Sequence, residues 1–156
     1  MKTILATALV AGLAASASAQ INATAFYSAN VRGDFSAAGL GTRGSGPVNF
    51  NLNGVGGGVV RAFAVWNFLS NNALGTQGEQ TITVNNNRVT AFQGYRGSPD
   101  LCWGFGGINT YVADVTGIIT GNGAITVFGA DDGAGRLGEG VSIVAVWDDG
   151  VSDSRT

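Results

Sequence analysis

Apolar and polar residues alternate along several short segments of this chain, with the period of two that side chains follow on a β-strand. The clearest segment is 59–68, which carries apolar residues on both of its alternating faces. Such a segment is typical of a central strand that turns one face to the core and has the other partly covered. Ala62, Ala64, Trp66 and Phe68 point to one face, and the second set, Arg61, Phe63, Val65 and Asn67, points to the other. No segment has the helical period of a long amphipathic helix, so the pattern predicts an all-β protein.

Turn residues separate further predicted strands. These strands are residues 21–27, 48–52, 80–84, 88–92, 111–114, 124–128 and 141–147. The three asparagines at 85–87 should turn the chain back as a hairpin, with Ile82 and Val84 facing inward. Loops are expected in the Gly-rich or polar segments 33–46, 94–109 and 131–140. The spacing of the strands indicates an antiparallel β-sandwich or barrel of about eight or nine strands.

The first residues of the chain have the form of a secretory signal peptide. Lys2 is followed by an apolar run from residue 4 to residue 15, and then by small residues that include Ala17 and Ala19 at the positions before cleavage. The apolar run is too short to span a bilayer. We therefore expect residues 1–19 to be removed, and residues 20–156 to form one secreted or surface-displayed domain without membrane insertion after cleavage.

The composition fits a β protein and excludes several classes of function. The chain has 26 Gly, too many for a helical protein, while its strand-forming residues are too frequent for a disordered one. Removal of Lys2 from the eight basic residues leaves seven against ten acidic residues, a net charge of −3. Such a chain has no basic footprint for nucleic acid.

The side chains needed for common catalytic machinery are missing. The chain has no His, which excludes Ser-His-Asp and Cys-His nucleophile systems and His-ligated zinc. A glycosidase would need two carboxylates across a cleft. Nothing in the sequence pairs the carboxylates Asp100, Asp114, Glu139 and Asp148. We therefore expect the protein not to be an enzyme.

Cys102 is the only cysteine, so the chain cannot form an internal disulfide. Its position beside Trp103 favours a small buried apolar residue, and the alternatives are an intermolecular bridge or a partner in sequence outside this chain. The chain stops in the polar turn 148–156 without a closing strand. We therefore expect a sandwich that lacks its last strand, as in a C-terminally truncated product or a fragment.

Residues 59–149 resemble a jelly-roll β-sandwich domain of bacterial and archaeal secreted and cell-surface proteins. The segments that carry the resemblance are 61–66, 82–85 with Val89, 111–116, 121–127 and 140–148. The order of a Trp-bearing strand, an Asn hairpin and an Asp-Val-Thr corner is also similar to the sugar-binding jelly rolls of glycoside hydrolases. Both resemblances imply a jelly-roll sandwich, and neither brings a catalytic residue with it. The surface family implies a further strand soon after Asp149.

The aromatic segment 94–109 holds the candidate ligand-binding residues. They are Trp103, Tyr95, Arg96 and Asp100. Aromatic rings that stack on a sugar, with polar groups that orient it, would make a binding site. We favour a structural interpretation, in which the segment folds over the end of the sandwich and Trp103 plugs it, because one tryptophan makes a poor platform. Trp66 and Trp147 lie within predicted strands and are expected in the core.

Asp114 and Thr116 belong to the Asp-Val-Thr corner and are expected to be structural caps. A short oxygen-bearing side chain ahead of an apolar turn accepts hydrogen bonds from the backbone N–H groups left unbonded there. We therefore interpret these two residues as part of the fold rather than as ligands.

Two acidic pairs are candidates for calcium binding, the one cofactor that the sequence suggests. They are Asp131, Asp132, Asp148 and Asp149. Ca²⁺ takes six to eight oxygen ligands, which separate sandwich loops can pool. The pairs lack the spacing of an EF-hand loop, which favours solvated turn residues instead.

These expectations combine into a non-catalytic, secreted or surface-displayed β-sandwich with a structural or adhesive role. Its partner would be an extracellular or cell-envelope polymer or protein. The alternative is a carbohydrate-binding module that uses the 94–109 segment. A second alternative is a self-assembling extracellular β protein, because low charge and an open sheet edge favour strand addition between chains.

Overall fold

The computed structural model describes residues 26–44, 46–99 and 102–151, and within these ranges the protein is all-β. Its nine strands are β1 (Gly33–Leu40), β2 (Val48–Leu52), β3 (Gly58–Ser70), β4 (Thr81–Val84), β5 (Asn87–Thr90), β6 (Gln93–Arg96), β7 (Ile108–Asp114), β8 (Gly123–Phe128) and β9 (Arg136–Asp148). In these ranges no helix is long and apolar enough to cross a membrane. The predicted signal peptide, most of the predicted strand 21–27 and the candidate Asp100 lie outside the described residues; Phe26 and Tyr27 are in no strand.

The strands form two antiparallel sheets that pack as a β-sandwich. One sheet has five strands in the order β1-β9-β3-β7-β6, and the other has four in the order β2-β8-β4-β5. Early and late strands interleave, because β9 lies between β1 and β3 while β8 lies between β2 and β4. The predicted antiparallel β-sandwich is thereby confirmed. The finer assignment to the jelly-roll type stays a prediction.

The core lies between the two sheets, where alternate side chains of the strands meet. Trp66 and Phe68 of β3 are 1% and 0% exposed, and Ile82 and Val84 of β4 are 1% and 0% exposed. The ring of Trp66 stacks on that of Tyr111, with 5.7 Å between the centroids. Trp66, Ile82 and Val84 were predicted to face inward and Phe68 to share the face of Trp66, and this prediction is confirmed.

The outer face of β3 is partly covered by the first described residues. Phe63 is 5% exposed, because the rings of Phe26 and Tyr27 pack on it at centroid distances of 5.1 and 5.0 Å. A strand covered on both faces and paired on both sides is central, as the apolar pattern predicts for this segment.

The predicted Asn hairpin is also confirmed. Asn85 and Asn86 have φ values of 47° and 64°, which is the left-handed backbone that a two-residue I′ turn requires. The side-chain amide of Asn87 donates to the carbonyl oxygen of Asn85 at 2.8 Å. This turn fixes the pairing of β4 with β5, and hence which side chains of β4 face the core.

Three predicted loops prove to be partly strands. β1 occupies the first part of the segment 33–46, β6 and β7 enter 94–109, and β9 begins inside 131–140. These strands are hard to recognise from sequence where they contain glycine and other small residues. Strands of small residues pair through close backbone approach and show no apolar alternation. A Cβ on Gly33 would lie 2.0 Å from the carbonyl oxygen of Trp147. Gly33 is therefore needed for the close pairing of β1 with β9, and it is not a loop residue.

Trp147 is half-buried rather than part of the core. Its indole N–H donates to the hydroxyl oxygen of Ser36 at 3.0 Å. A Cβ on Gly56 would lie 3.0 Å from the ring, so the indole rests on a stretch of bare backbone. The polar end of the indole thus has a hydrogen-bond partner, and its apolar part lies against the backbone of Gly33 and Gly56.

Candidate functional site

Trp103 lies on the surface, beside the turn that follows β1. Its side chain is 59% exposed, and the guanidinium carbon of Arg43 lies 4.3 Å from the centroid of the indole. Arg43 is itself held, because its Nε donates to Glu139 Oε1 at 2.9 Å. A guanidinium above an indole is a cation–π contact that orients the ring. The prediction that Trp103 plugs the end of the sandwich is therefore wrong, and so is that of a buried Cys102, which is exposed.

Tyr95 and Arg96 lie in β6, so their side chains point to opposite faces of the five-stranded sheet. Tyr95 is 40% exposed on the outer face and pairs with Thr110. Arg96 turns the other way, where its Nη1 donates to Asn109 Oδ1 at 2.7 Å and to the carbonyl oxygen of Asn72 at 2.6 Å. The predicted ligand-binding residues in the described part of the chain therefore do not form one cluster.

A buried carboxylate, Glu79, was missed by sequence reasoning. It is 0% exposed, and four side chains donate to it. Its Oε1 accepts from Ser70 Oγ at 2.6 Å and Asn72 Nδ2 at 2.8 Å, and its Oε2 accepts from Asn109 Nδ2 at 2.7 Å and the Tyr111 hydroxyl at 3.2 Å. These bonds attach the segment before β4 to β3 and β7. The donors are scattered along the sequence without a motif, so only the fold reveals the cluster.

Hydrogen bonding keeps the Glu79 carboxylate ionised. Burial raises the pKa of this carboxyl group, but the hydrogen bonds from Asn109, Ser70, Asn72 and Tyr111 outweigh it and leave the pKa below its ordinary value. Burial also raises the pKa of the Tyr111 hydroxyl, with the Glu79 charge adding to the effect, so the phenol keeps the proton that it donates. A carboxylate bonded at both oxygens and shielded from solvent stabilises the fold and does not reach a ligand.

Asp114 and Thr116 form the corner that follows β7. Asp114 Oδ1 accepts from the backbone N–H of Thr116 at 2.9 Å and from its hydroxyl at 2.6 Å, while Oδ2 accepts from Arg61 Nη1 at 3.0 Å. The Thr116 hydroxyl oxygen accepts from the backbone N–H of Ala62 at 3.0 Å. Burial raises the pKa of Asp114, but Thr116 and Arg61 lower it further than burial raises it. This is the geometry of a side-chain cap.

The candidate calcium ligands lie in two separate places. They are Asp131 and Asp132, which precede β9, and Asp148 and Asp149 at its far end. Asp132 bonds to Gly138 within β9, and the ten residues from Gly138 to Asp148 place the two pairs about 33 Å apart. Asp132 accepts from the backbone N–H groups of Gly138 at 2.8 Å and Gly44 at 3.0 Å, as turn residues do. The four residues therefore do not meet, and no group of three or more potential metal ligands occurs among the described residues.

Comparison with protein-family models, curated proteins and solved structures gives no match to this chain. The resemblance to surface-protein and sugar-binding jelly rolls therefore stays a prediction.

Proposed function

We propose that this protein is a non-catalytic, secreted or surface-displayed adhesive module that presents Trp103 to an extracellular carbohydrate polymer. The observation that carries the proposal is the exposed indole, held in place by Arg43. Exposed apolar surface is unfavourable in water, and a tryptophan oriented on the outside of a fold is typical of a binding surface. Sugar rings present apolar C–H faces that stack on an indole, and their hydroxyl groups bond to polar side chains nearby.

The carboxylates with perturbed pKa values favour binding over catalysis. Strongly perturbed groups in an open cleft would suggest catalytic work. Glu79 has no exposed surface, and Asp114 is bonded within its own corner and to Arg61. Both perturbations are explained by the stability of the fold.

Co-sedimentation with insoluble polymers tests the proposal. The wild-type protein is mixed with cellulose, chitin, insoluble xylan or peptidoglycan and should be retained by at least one of them. Trp103→Ala should weaken retention by about 30-fold, as expected for an aromatic contact worth about 2 kcal/mol. Phe128→Ala is the matched control, because Phe128 is an exposed aromatic residue (41%) of the other sheet.

Two results would contradict the proposal. In the first, the wild-type protein stays in the supernatant with every polymer. In the second, Trp103→Ala is retained as well as the wild type, which would show that the polymer is held elsewhere.

Self-assembly is a second candidate function, and the edge strand β1 favours it. β1 is at one edge of the five-stranded sheet and carries Phe35, which is 64% exposed. Its sequence GDFSAAGL contains neither Lys nor Pro, two residue types that prevent edge pairing, and Asp34 is its one charged residue. Sedimentation velocity should then reveal concentration-dependent dimers that Phe35→Lys abolishes, whereas a monomer at every concentration would exclude this function.

A further inference from the structure

A depression of about 450 Å³ crosses the outer face of the five-stranded sheet. The register aligns part of its floor in one row across the strands. Asn67 of β3 pairs with Gly140 of β9 on one side and with Thr110 of β7 on the other, and Thr110 pairs with Tyr95 of β6. The row continues past Gly140 toward the end of β1, so it crosses four strand spacings, or about 19 Å.

Glycines keep this floor open where side chains would otherwise stand. Gly140 shares the outer face with Asn67, and a Cβ placed on it would lie 3.4 Å from its nearest neighbour, a backbone oxygen. A Cβ on Gly39 would lie 2.5 Å from the hydroxyl oxygen of Ser142. The bare backbone of these glycines leaves the neighbouring polar side chains uncovered, which is a common way to let a ligand approach a sheet.

Three polar side chains in the depression are not used by the fold. Asn67 and Thr110 are half-buried and Ser142 is exposed, and all three line the depression. Within the part of the chain that the structure describes, their side chains hydrogen-bond to no protein group. By contrast, Asn72 and Asn109 are bonded through their side chains to Glu79. An amide and two hydroxyl groups both donate and accept, so they match a ligand that is rich in hydroxyl groups.

The charge of the site restricts the class of ligand. None of the residues that line the depression is charged. Glu139, which precedes Gly140, is paired with Arg43. Val65 adds an apolar surface to the lining. A phosphate or polyuronate would find no cation among these residues, and a peptide that binds by strand addition would need the unpaired backbone of a sheet edge rather than a sheet face.

We infer that the depression binds a neutral, linear oligosaccharide laid across the strands, with Tyr95 at one end of the row and Trp103 near the other. Trp103 lies near that end because it stacks on Arg43, the partner of Glu139. Pyranose rings would pack on Val65 and bond to Asn67, Thr110 and Ser142. This inference rests on the proposed function, since it assigns the ligand class and the main contact surface of the same adhesive module.

Isothermal titration calorimetry with hexasaccharides of β-1,4-glucan, β-1,4-xylan, β-1,4-mannan and β-1,3-glucan tests this inference, with oligogalacturonate as the anionic probe. The wild-type protein should bind at least one neutral hexasaccharide, bind its trisaccharide more weakly, and not bind oligogalacturonate. Asn67→Ala should weaken binding by about three- to tenfold, through the loss of one or two neutral hydrogen bonds. Gly140→Leu should abolish binding by filling the floor.

Gly117→Leu is the matched control, because a Cβ on Gly117 meets nothing within 4 Å and its φ is not left-handed. This variant should bind like the wild type, and circular dichroism should show that all variants are folded. Wild-type affinity in both Asn67→Ala and Gly140→Leu, or preference for oligogalacturonate, overturns the inference. If Trp103→Ala alone loses binding, the adhesive function stands and the depression is not the site. If no neutral hexasaccharide binds to the wild type, this inference fails, whereas the proposed function fails only if the insoluble polymers also do not retain the protein.

Discussion

Replacement of Glu79 by alanine should destabilise the protein far more than replacement of an exposed carboxylate. Glu79 and Ser70 are 0% exposed, and Tyr111 is 1% exposed. Without the carboxylate, the hydroxyl groups of Ser70 and Tyr111 would remain as buried donors without their acceptor, at a cost of about 2 kcal/mol each. The side-chain amides of Asn72 and Asn109 each keep a second, weaker acceptor, a backbone carbonyl oxygen at 3.4 and 3.3 Å respectively. The expected loss is therefore about 4 kcal/mol, out of the roughly 5–15 kcal/mol that is typical of a folded domain.

Urea unfolding followed by tryptophan fluorescence measures this loss directly. Glu79→Ala should lower the free energy of unfolding by about 4 kcal/mol and the melting temperature by about 15 °C, for a domain of this size. Glu79→Gln keeps the shape and one acceptor oxygen, so it should lose about half as much. In a double-mutant cycle, Ser70→Ala should cost less in the Glu79→Ala background than alone. A loss below about 1 kcal/mol for Glu79→Ala would refute the reasoning, because exposed sites commonly lie in that range.

Three further predictions concern the same fold. The folded pKa of Glu79 lies below its ordinary 4.5, so its contribution to the stability of the fold is present above pH 4.5 and is lost as the pH falls through the folded pKa. The urea midpoint should therefore fall more steeply between pH 7 and pH 3 for the wild type than for Glu79→Gln. Equal slopes for the two proteins would contradict this prediction. Asp114→Ala should cost about 1 kcal/mol through loss of the corner cap and leave polysaccharide retention unchanged, whereas lost retention at an unchanged melting temperature would make Asp114 a ligand residue. Gly33→Ala should lower the melting temperature, since its Cβ would lie 2.0 Å from the Trp147 carbonyl oxygen, and Gly117→Ala should not; equal melting temperatures would show that the approach of β1 to β9 relaxes freely.

The strands with large side chains could be predicted from sequence, and those with small ones could not. β3 and the β4–β5 hairpin were recognisable because burial of Trp66, Phe68 and Ile82 imposes an apolar alternation and because two asparagines mark the turn. β1 was missed, since GDFSAAGL pairs through bare backbone and small side chains. β9 was placed too late, because its first residues, including Gly138 and Gly140, have the composition of a loop.

The candidate site was less predictable than the fold, because residues that are adjacent in sequence point to opposite faces of a strand. Tyr95 and Arg96 are adjacent in the chain, yet they lie on opposite faces of β6. Trp103 was predicted as a plug, but it is 59% exposed and stacks on Arg43, a residue 60 positions away in sequence. The Glu79 cluster and the row from Asn67 to Thr110 likewise arise from strand register, which short-range patterns in the sequence do not encode.

The binding of a neutral oligosaccharide to the outer face of the five-stranded sheet is tested most directly by a nuclear magnetic resonance titration. The ¹⁵N-labelled protein would be titrated with the hexasaccharide that binds most tightly in calorimetry. The predicted result is a set of saturable shifts at the side-chain amide of Asn67, the backbone amides of Thr110 and Ser142, and the indole N–H of Trp103. The indole N–H of Trp66, which is bonded to the carbonyl oxygen of Glu79 at 2.7 Å in the core, should not move. Shifts confined to the four-stranded sheet, or none with any of the sugars, would contradict the account.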